Sequence, residues 1–324
     1  MINPTLDDPE LVATTPLAPR ELDPTAFAPA KIGRHVVLDR LGAGGMGVVF
    51  AAFDPQLDRR LAIKLLHPGT REDALLAQER VREEARALAR LAHPNVVAIY
   101  DVGTVALMHD RVAVYIAMEL VDGVTWSKWM GERRRGWREV TAKLREVGLA
   151  LSAAHRAQLV HRDIKPDNVM VGDDGRVRVM DFGLAQSGGG APGTGDANDD
   201  DARASGQRTQ PSTRGQLVGT PAYMAPEQLL GLPADARSDQ FALSVMLFES
   251  LYGMRPFAGN SLVQLSVAVS EGRVSVPPAD RRRLVPAFVH RVLLRGLAVE
   301  PAARFPDVAA LLAALEHDPR RRRR

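Results

Sequence analysis

The sequence HRDIKPDN at His161–Asn168, followed by DFG at Asp181–Gly183, decides how the rest of this 324-residue chain is interpreted. It contains a carboxylate that can accept a proton, a lysine cation and two side chains with oxygen ligands for a hard metal ion: Asp163, Lys165, Asn168 and Asp181. Taken singly, each has a structural explanation, because Asp163 can cap a turn and Asn168 can end one. Their order within so short a stretch favours a reactive site.

A glycine-rich stretch lies in the first third of the chain and consists of Leu41, Gly42, Ala43, Gly44, Gly45, Met46 and Gly47. Glycine lets the backbone approach a phosphate closely and adopt the turns that this requires. The motif alone is weak evidence, and a plain hairpin turn is the competing interpretation. The β-branched Val48 and Val49 that follow favour a strand over the helix that a dinucleotide-binding fold needs at this point.

Lys64 lies in the predicted strand Leu61–Leu66, whose other residues are apolar. A lysine in such a place usually extends its charged end to water. Together with the glycine-rich stretch and the polar residues above, however, Lys64 completes a set of groups with a chemical role. Transfer of a phosphoryl group from a nucleotide to a hydroxyl needs these groups, because the reaction depends on positioning and on charge neutralisation.

These motifs resemble the catalytic loop and the metal-binding turn of eukaryotic-like protein kinases. The sequence KPDN at Lys165–Asn168 is similar to that of serine/threonine kinases rather than tyrosine kinases. Leu41–Gly47, Tyr100–Gly103 and Gly219–Gln228 resemble the bacterial members of the family. The resemblance covers Arg34–Glu316 and implies an α+β, bilobal fold. A small antiparallel β-sheet lobe with one helix would precede a larger, mainly α-helical lobe.

The resemblance implies a role for each polar residue. Asp163 would accept or orient the proton of the attacking hydroxyl, and Lys165 would neutralise charge on the phosphoryl group. Asn168 and Asp181 would hold Mg²⁺, with Mn²⁺ as an alternative, beside the phosphates of ATP. Lys64 would contact the α and β phosphates of the same nucleotide.

A glutamate on the helix after the third strand would hold Lys64 in place, as the resemblance implies. Counted back from His93-Pro94-Asn95, the pattern of the family places this glutamate at Glu84. The helix face that Glu84 shares with the apolar Leu88 and Val81 supports the assignment. Glu83 and Glu79 are the alternatives, and one helix cannot direct both Glu84 and its neighbour at a single point.

Six further residues would line the nucleotide pocket by the same resemblance, and ordinary core packing is the competing explanation for each. Two lie above the adenine, one beneath it, one at the back of the pocket, and two offer backbone hydrogen bonds: in that order Val49, Ala62, Met170, Met118, Glu119 and Leu120.

Three structural assignments also follow from the resemblance. His161 would be a packed histidine rather than a base. Asp239, at the start of a central helix, would cap the backbone of the catalytic loop, which is close to the role of a plain N-cap. Glu227 would form a buried ion pair with Arg304 in the last helix.

The segment Gly219–Glu227 (GTPAYMAPE) is similar to the substrate-binding stretch of the family. Within it, Thr220 would contact Asp163 and Lys165. A small-molecule phosphotransferase with a kinase-like fold is a competing function, but it needs no such peptide-docking stretch. A pseudokinase that only recruits partners is a second competitor, and the complete polar set disfavours it.

The predicted order of domains is a disordered proline-rich tail, a kinase domain and a basic tail: 1–33, 34–317 and 318–324. Within the kinase domain, a small lobe at 34–120 precedes a large lobe at 121–317. A low-complexity insert at 187–214 would lengthen the activation loop. For the basic tail, a solvated segment is the favoured interpretation over a lipid or nucleic-acid contact.

Strands and helices are predicted from the periodicity of apolar residues. The predicted strands are Arg34–Arg40, Val48–Phe53, Leu61–Leu66, Val96–Val102 and Val112–Leu120. The predicted helices are Arg71–Ala92, Trp137–Ala157, Asp239–Tyr252, Leu262–Ser270, Pro286–Leu297 and Asp307–Glu316.

Composition excludes several classes of function. Hydrophobic residues make up 45% of the chain, so a sizeable core is expected. There is no cysteine, which excludes disulfides and thiolate metal sites and fits a cytoplasmic location. Basic clusters are short and not interleaved with aromatic residues, so no nucleic acid is expected as a partner. No apolar run approaches the roughly 20 residues of a membrane-spanning helix.

Arg162 precedes the expected base. In the family, an arginine at this position pairs with a phosphorylated residue of the activation loop and orders it. Thr209, Ser212 and Thr213 are the candidate phosphosites, and a merely polar linker is the alternative for each. The expected function is a serine/threonine kinase of protein substrates that phosphorylates itself, and a homodimer for this autophosphorylation is left open.

Overall fold

The structure is a computed structural model that describes residues 30–44, 47–66, 71–89, 91–107, 111–182 and 220–317. These residues form a small sheet lobe and a larger helical lobe, so the expected α+β, bilobal fold is confirmed. In the described part of the chain, no helix is both long and apolar enough to cross a membrane. The predicted insert and basic terminus lie outside the described residues, and so does the predicted tail up to residue 29. Residues 30–33 of that tail are described, and Lys31–Ile32 form a strand, so the folded part begins before the predicted boundary at 34.

The small lobe is a six-stranded antiparallel sheet with the strand order β1-β2-β3-β4-β6-β5. Helix α1 (Arg71–Ala89) packs against β5 and β6. The strands are β1 (Lys31–Ile32), β2 (His35–Gly44), β3 (Gly47–Asp54), β4 (Arg59–Leu66), β5 (Ile99–Ala106) and β6 (Val112–Met118).

Strand β4 shows how the sheet separates two hydrophobic clusters. Leu61 and Ile63 belong to the cluster on one face, whereas Ala62 packs with Val81 of α1 on the other. Since successive side chains of a strand alternate between faces, Lys64 projects from the same face as Ala62. The period of the strand therefore directs this lysine toward the side of the sheet that α1 covers.

The large lobe begins with β7 and contains a three-stranded antiparallel sheet, β7-β8-β9, beside its helices. The strands are β7 (Gly123–Thr125), β8 (Val169–Gly172) and β9 (Val177–Val179). The helices are α2 (Trp126–Glu132), α3 (Trp137–Arg156), α4 (Pro226–Leu229), α5 (Ala236–Tyr252), α6 (Leu262–Ser270), α7 (Ala279–Arg282), α8 (Ala287–Gly296) and α9 (Val308–Glu316).

Helix α5 is the centre of the large lobe. Every residue from Ser238 to Phe248 is buried, so the helix is covered on all sides rather than along one stripe. Asp235 begins it by accepting a hydrogen bond from Arg237 N, and Gly253 ends it with a left-handed φ of 71°. Because it is both capped and enclosed, α5 is a fixed reference for the loops that touch it.

Most predicted elements agree with the structure to within three residues at each end, but several details are corrected. Strand β2 continues through Gly44, and the strand predicted at Val96–Val102 runs over Ile99–Ala106 instead. Val96 itself forms an isolated bridge with Val179. The short elements β1, β7, β8, β9, α2, α4 and α7 were not predicted. Arg304 follows a 3-10 turn and precedes α9, so its expected place in the last helix is wrong.

The glycine-rich stretch forms the tip of the β2–β3 hairpin. Gly44 pairs with Gly47 across it, while Gly45 and Met46 lie outside the described residues. Gly47 has a φ of 147°, and a Cβ atom there would lie 2.0 Å from the carbonyl oxygen of Leu65. Only glycine fits this position, because β4 passes so close to the backbone.

We expect Gly47→Ala to lower the stability of the small lobe by about 1–3 kcal/mol, since the side chain forces both an unfavourable φ and a clash. Gly44→Ala is the matched control, because a Cβ atom at Gly44 meets nothing within 4 Å. Differential scanning calorimetry of the two variants measures the effect. Equal unfolding temperatures would show that the close approach of β4 does not constrain the hairpin.

Candidate active site

The loop His161–Asn168 is held at its start by Asp239, in the first turn of α5. The carboxylate of Asp239 accepts hydrogen bonds from His161 N at 2.8 Å and from Arg162 N at 2.7 Å. His155 Nε2, in the last turn of α3, lies 2.7 Å from the same carboxylate. The bonds to His161 N and Arg162 N hold the backbone at Arg162, whose φ of 67° is left-handed. The expected capping role of Asp239 is confirmed.

His161 is fully buried and connects two parts of the site. Its Nδ1 accepts a hydrogen bond from Asp163 N, so the neutral ring carries its hydrogen on Nε2, which donates to Met180 O at 2.8 Å. The ring packs on Phe182 with centroids 4.6 Å apart. His161 is therefore a packed structural histidine, as expected, and it ties the loop to the segment that carries Asp181.

Asp163, Lys165 and Asn168 form a compact polar group. Lys165 Nζ lies 2.6 Å from Asp163 Oδ2, and Asn168 Nδ2 donates to the same Oδ2 at 3.0 Å and to the backbone oxygen of Asp163 at 2.7 Å. Asp163 and Asn168 are buried. Both side-chain contacts fall on Oδ2, so Oδ1 is the carboxylate oxygen that can meet an incoming hydroxyl.

Lys64 and Asp181 form an ion pair between the two lobes. Lys64 Nζ of β4 lies 2.9 Å from Asp181 Oδ2, just beyond β9, and both side chains are largely buried. A buried cation needs such a partner, because desolvation would otherwise penalise its charge. Asp181 has a left-handed φ of 58°, which turns the chain immediately after β9. Glu84 lies in α1, but its side chain is outside the described residues, so its pairing with Lys64 stays a prediction.

Asn168 and Asp181 suit a magnesium ion that also binds phosphate. The backbone oxygen of Asn168 accepts a hydrogen bond from Met180 N, which brings Asp181 next to Asn168. In the described part of the chain, no group of three or more acidic, histidine or cysteine side chains could hold a metal. Mg²⁺ commonly uses one or two protein ligands together with phosphate oxygens and water, so this donor set fits it.

The face of the sheet that carries Lys64 also carries the residues expected around the adenine. Ala62 pairs with Met118 across β4 and β6, and Val49 pairs with Lys64 across β3 and β4. Cross-strand partners project from the same face, so these side chains share one surface. Ala62 and Met118 are also buried in the cluster under α1, so core packing accounts for them as well.

Glu119 joins the two lobes at the end of β6. Its backbone N–H donates to Ala98 O at 2.9 Å. Of its two backbone groups, only the carbonyl oxygen is therefore left for a ligand. Its carboxylate lies 2.7 Å from Arg178 Nε of β9. Hydrogen bonding to Asp174, with the nearby charge of Glu119, holds the pKa of Arg178 above its ordinary value despite burial. This bridge was not predicted, because Asp174 and Arg178 lie in a hairpin too short to be recognised from periodicity.

Leu120 and Met170 lie near this bridge. Leu120 packs against the cluster that contains Met118 and Ala62. Met170 is the second residue of β8 and lies opposite Thr125 of β7 in the three-stranded sheet. Leu120 thus lies in the connection between β6 and β7, and Met170 lies opposite Arg178 of β9 as well.

Comparison with known proteins identifies the fold family. The model of the protein kinase domain matches residues 35–283. The chain belongs to the protein kinase family. The matched range lies inside the predicted kinase domain, and the kinase enzyme class expected from the sequence is confirmed for this domain.

Relatives of this kinase domain are serine/threonine-protein kinases from bacteria. PksC of Streptomyces coelicolor is 39% identical over 285 residues, covering 86% of this chain and 48% of the relative. PknA of Mycobacterium tuberculosis is 33% identical, covering 89% and 63%. Pkn1 of Myxococcus xanthus is 35% identical, covering 88% and 38%. The expected resemblance to bacterial kinases is confirmed, and the chain spans about half the length of these relatives.

The kinase domain thus brings together all five polar residues that the sequence analysis selected: Lys64, Asp163, Lys165, Asn168 and Asp181. Several other predicted residues, or their side chains, lie outside the described residues: Gly45, Met46, Glu84, Thr209, Ser212, Thr213 and Thr220. Sequence reasoning missed His155, whose only signal was its position on the last turn of a predicted helix.

The predicted ion pair between Glu227 and Arg304 is present. It lies next to Gln228, which is hydrogen-bonded to the catalytic loop. The two side chains meet through two hydrogen bonds of 2.8 Å, and Ser238 Oγ donates to Glu227 at 2.6 Å. Burial raises the pKa of Glu227, but hydrogen bonds from Arg304 and Ser238 outweigh it and hold the pKa below its ordinary value. The pair joins α4 to the segment before α9.

We expect Glu227→Gln to destabilise the kinase domain by about 3–5 kcal/mol near pH 7, because Arg304 keeps a buried charge without its counter-ion. The folded-state pKa of Glu227 is lowered, so its ionised form stabilises the protein fully above about pH 4.5. This stabilisation is lost as the pH falls through the folded-state pKa.

Urea unfolding at neutral and at acidic pH measures this effect. The difference between the natural chain and Glu227→Gln should shrink in acid, whereas the exposed control Glu300→Gln should show little difference at either pH. A pH-independent difference for Glu227→Gln would contradict the ionised buried pair.

Proposed function

We propose that this protein is an active serine/threonine protein kinase, which transfers the γ-phosphoryl group of ATP to serine and threonine hydroxyls of proteins. The observation that carries the proposal is the group formed by Asp163, Lys165 and Asn168 beside the ion pair of Lys64 and Asp181. These contacts supply a proton acceptor, two cations and two metal ligands around one cleft between the lobes.

In this proposal, Asp163 Oδ1 orients the acceptor hydroxyl and takes its proton. Lys165 Nζ, which lies 2.6 Å from Oδ2 of the same carboxylate, neutralises charge on the phosphoryl group. Lys64 exchanges part of its contact with Asp181 for the α and β phosphates. Asn168 and Asp181 would hold Mg²⁺, or Mn²⁺ as the alternative, which neutralises phosphate charge when it is bound.

The nucleotide would lie between the β2–β3 hairpin and the face of β4. The glycine-rich residues Leu41–Gly47 would cover the phosphates, and Val49, Ala62, Met118 and Met170 would enclose the adenine. The Glu119 carbonyl and the Leu120 backbone would offer hydrogen bonds to it. Glu84 is the proposed partner of Lys64 once the nucleotide has drawn it from Asp181.

A protein substrate, rather than a small alcohol, is favoured by the segment that precedes and includes α4. Gln228 Nε2 donates to the backbone oxygen of Arg162 at 2.8 Å, so this segment is attached directly to the loop that carries Asp163. A peptide lying along it would present its hydroxyl beside the catalytic group. The bacterial relatives, which are named serine/threonine-protein kinases, support the same acceptor.

We expect Asp163→Asn to reduce autophosphorylation by about 10²–10⁴-fold, because an amide cannot accept the proton of the hydroxyl. The measurement is incubation with Mg²⁺ and ATP, followed by mass spectrometry of Ser and Thr residues. Asp173→Asn is the matched control, since Asp173 is exposed in the β8–β9 turn. If the natural chain bound ATP yet gained no phosphate on itself or on any protein, a scaffolding role would replace this proposal.

We further infer that Arg162 binds a phosphorylated residue of the activation loop, with Thr209, Ser212 and Thr213 as candidates outside the described residues. Its left-handed backbone is fixed by Asp239, so its side chain leaves from a defined point. Peptide mapping of the autophosphorylated chain should find phosphate on at least one candidate. Replacing that residue with alanine should lower activity toward other proteins, whereas phosphate found only elsewhere would contradict the assignment.

The remaining predictions rest on composition and family resemblance. The kinase domain is proposed to end at 317, before a basic tail at 318–324, and to follow a proline-rich tail. That tail was predicted at 1–33, but its residues Lys31–Ile32 form β1 and belong to the small lobe. A cysteine-free chain that consumes ATP fits a cytoplasmic location. A homodimer for autophosphorylation and the absence of nucleic-acid partners stay predictions.

A further inference from the structure

A cavity of about 630 Å³ opens beside the catalytic loop. Its wall includes Lys165, Pro166 and Asp167 of the loop, and Tyr223 from the turn before α4. The rest comes from α2 and the turn after it, from the end of α5 and the residues that follow it, and from α7. Lys165 also contacts Asp163, so the cavity lies next to the point where a substrate hydroxyl would be presented.

The side chains around this cavity are predominantly cationic. Two of the lining side chains are carboxylates, Asp167 and Glu249, and six are cations: Arg133, Arg134, Arg135, Lys165, Arg255 and Arg281. A concave surface with an excess of one charge attracts groups of the opposite charge. The excess matters only where the cations are not already neutralised by neighbouring acids.

Several of these cations already have acidic partners. Arg133 and Arg135 both pair with Glu139 at 2.6 Å, and Arg255 lies 3.4 Å from Glu249. Glu249 also accepts a hydrogen bond of 2.5 Å from the hydroxyl of Tyr223. These charges therefore shape the wall of the cavity and contribute little to its net charge.

Of the cations that line the cavity, Arg134 and Arg281 are the two whose charge is left to bind a ligand. Arg134 forms no ion pair with any described residue, and the ion pair recorded for Arg281, with its neighbour Asp280, is 4.0 Å long. Asp167 is exposed and opposes them, but the two arginines outnumber it. The cavity therefore keeps a positive excess that comes from separate elements of the large lobe.

The turn that carries Arg134 is itself well fixed. Arg135 stacks on Trp129 at 3.6 Å, donates to Trp129 O and pairs with Glu132. Arg133 is held by its pair with Glu139 on the other side of Arg134. Because both neighbours are anchored, the backbone at Arg134 is positioned before a ligand arrives, which lowers the ordering cost of binding.

We propose that this cavity selects protein substrates with acidic side chains near the acceptor serine or threonine, through Arg134 and Arg281. The inference rests on the proposed kinase function and specifies its substrate class. Glutamate, aspartate and phosphoserine share the required anionic oxygens, and arginine binds all three through charge-assisted hydrogen bonds. The loop residues Lys165 and Asp167 join this cavity to the catalytic group, so an anion here fixes the register of the peptide.

The test uses the full chain and matched peptides that contain one threonine acceptor. Glutamates precede the threonine in one peptide, follow it in a second and are replaced by glutamines in a third. We expect one glutamate peptide to have a kcat/KM about tenfold above that of the glutamine peptide, mainly through a lower KM. Phosphoserine in place of glutamate should act in the same direction, and the larger gain identifies the preferred anion.

The double variant Arg134→Gln/Arg281→Gln should bring the ratio of the two kcat/KM values close to one. Arg283→Gln is the matched control, since Arg283 is exposed near the end of α7 but does not line the cavity. No preference for either glutamate peptide in the natural chain would overturn the proposal. A preference that survives in the double variant would overturn it too.

Fluorescence anisotropy of labelled peptides without ATP separates this inference from the proposed function. Tighter binding of a glutamate peptide that is lost in the double variant supports the cavity, even if no peptide is phosphorylated. If this binding preference is present but no peptide is phosphorylated, the proposed kinase activity is wrong and the inference about the cavity stands. Equal binding of the glutamate and glutamine peptides would contradict acidic selection at this cavity, whatever the activity.

Discussion

The buried carboxylate of Asp239 is the interaction on which the candidate site depends. It accepts hydrogen bonds from the backbone N–H groups of His161 and Arg162 and lies 2.7 Å from His155 Nε2. A charged group removed from water is costly unless such partners satisfy it, and these three contacts both satisfy the carboxylate and hold the start of the loop. Because α5 is enclosed on every side, the core of the large lobe fixes this carboxylate and, through it, the loop.

The rest of the polar site draws its charges from both lobes. Strand β4 directs Lys64 from the small lobe, and the turn after β9 directs Asp181 from the large lobe. Neither lobe alone contains the complete set of charges. The distance between the cation and the carboxylate therefore depends on how the lobes are arranged, which the bridge of Glu119 and Arg178 helps to define.

The sequence predicted much of this architecture for physical reasons. Helices α3, α6, α8 and α9 were placed to within a residue or two, because each has a long apolar repeat or a clear end signal. Strands β7, β8 and β9 have three or four residues each, which is too short for a period of two to be recognised. Residue types and order were enough to select the polar group of the site.

Contacts between distant parts of the chain were harder to predict. The direct pair of Lys64 and Asp181 did not follow from motifs, because the family resemblance assigned Lys64 to a glutamate and Asp181 to a metal. The cationic cavity was also missed, since Arg134 and Arg281 belong to separate basic clusters that only the fold brings to one wall.

The ion pair of Glu227 and Arg304 has a consequence for the smallest fragment that can fold. The family model ends at residue 283, but the guanidinium that neutralises Glu227 comes 21 positions later and is buried with it. A fragment cut at that boundary would keep every group of the candidate site and still lose Arg304, the counter-ion of Glu227. The autonomous folding unit of this domain is therefore longer than its sequence signature, and Arg304 sets the minimum.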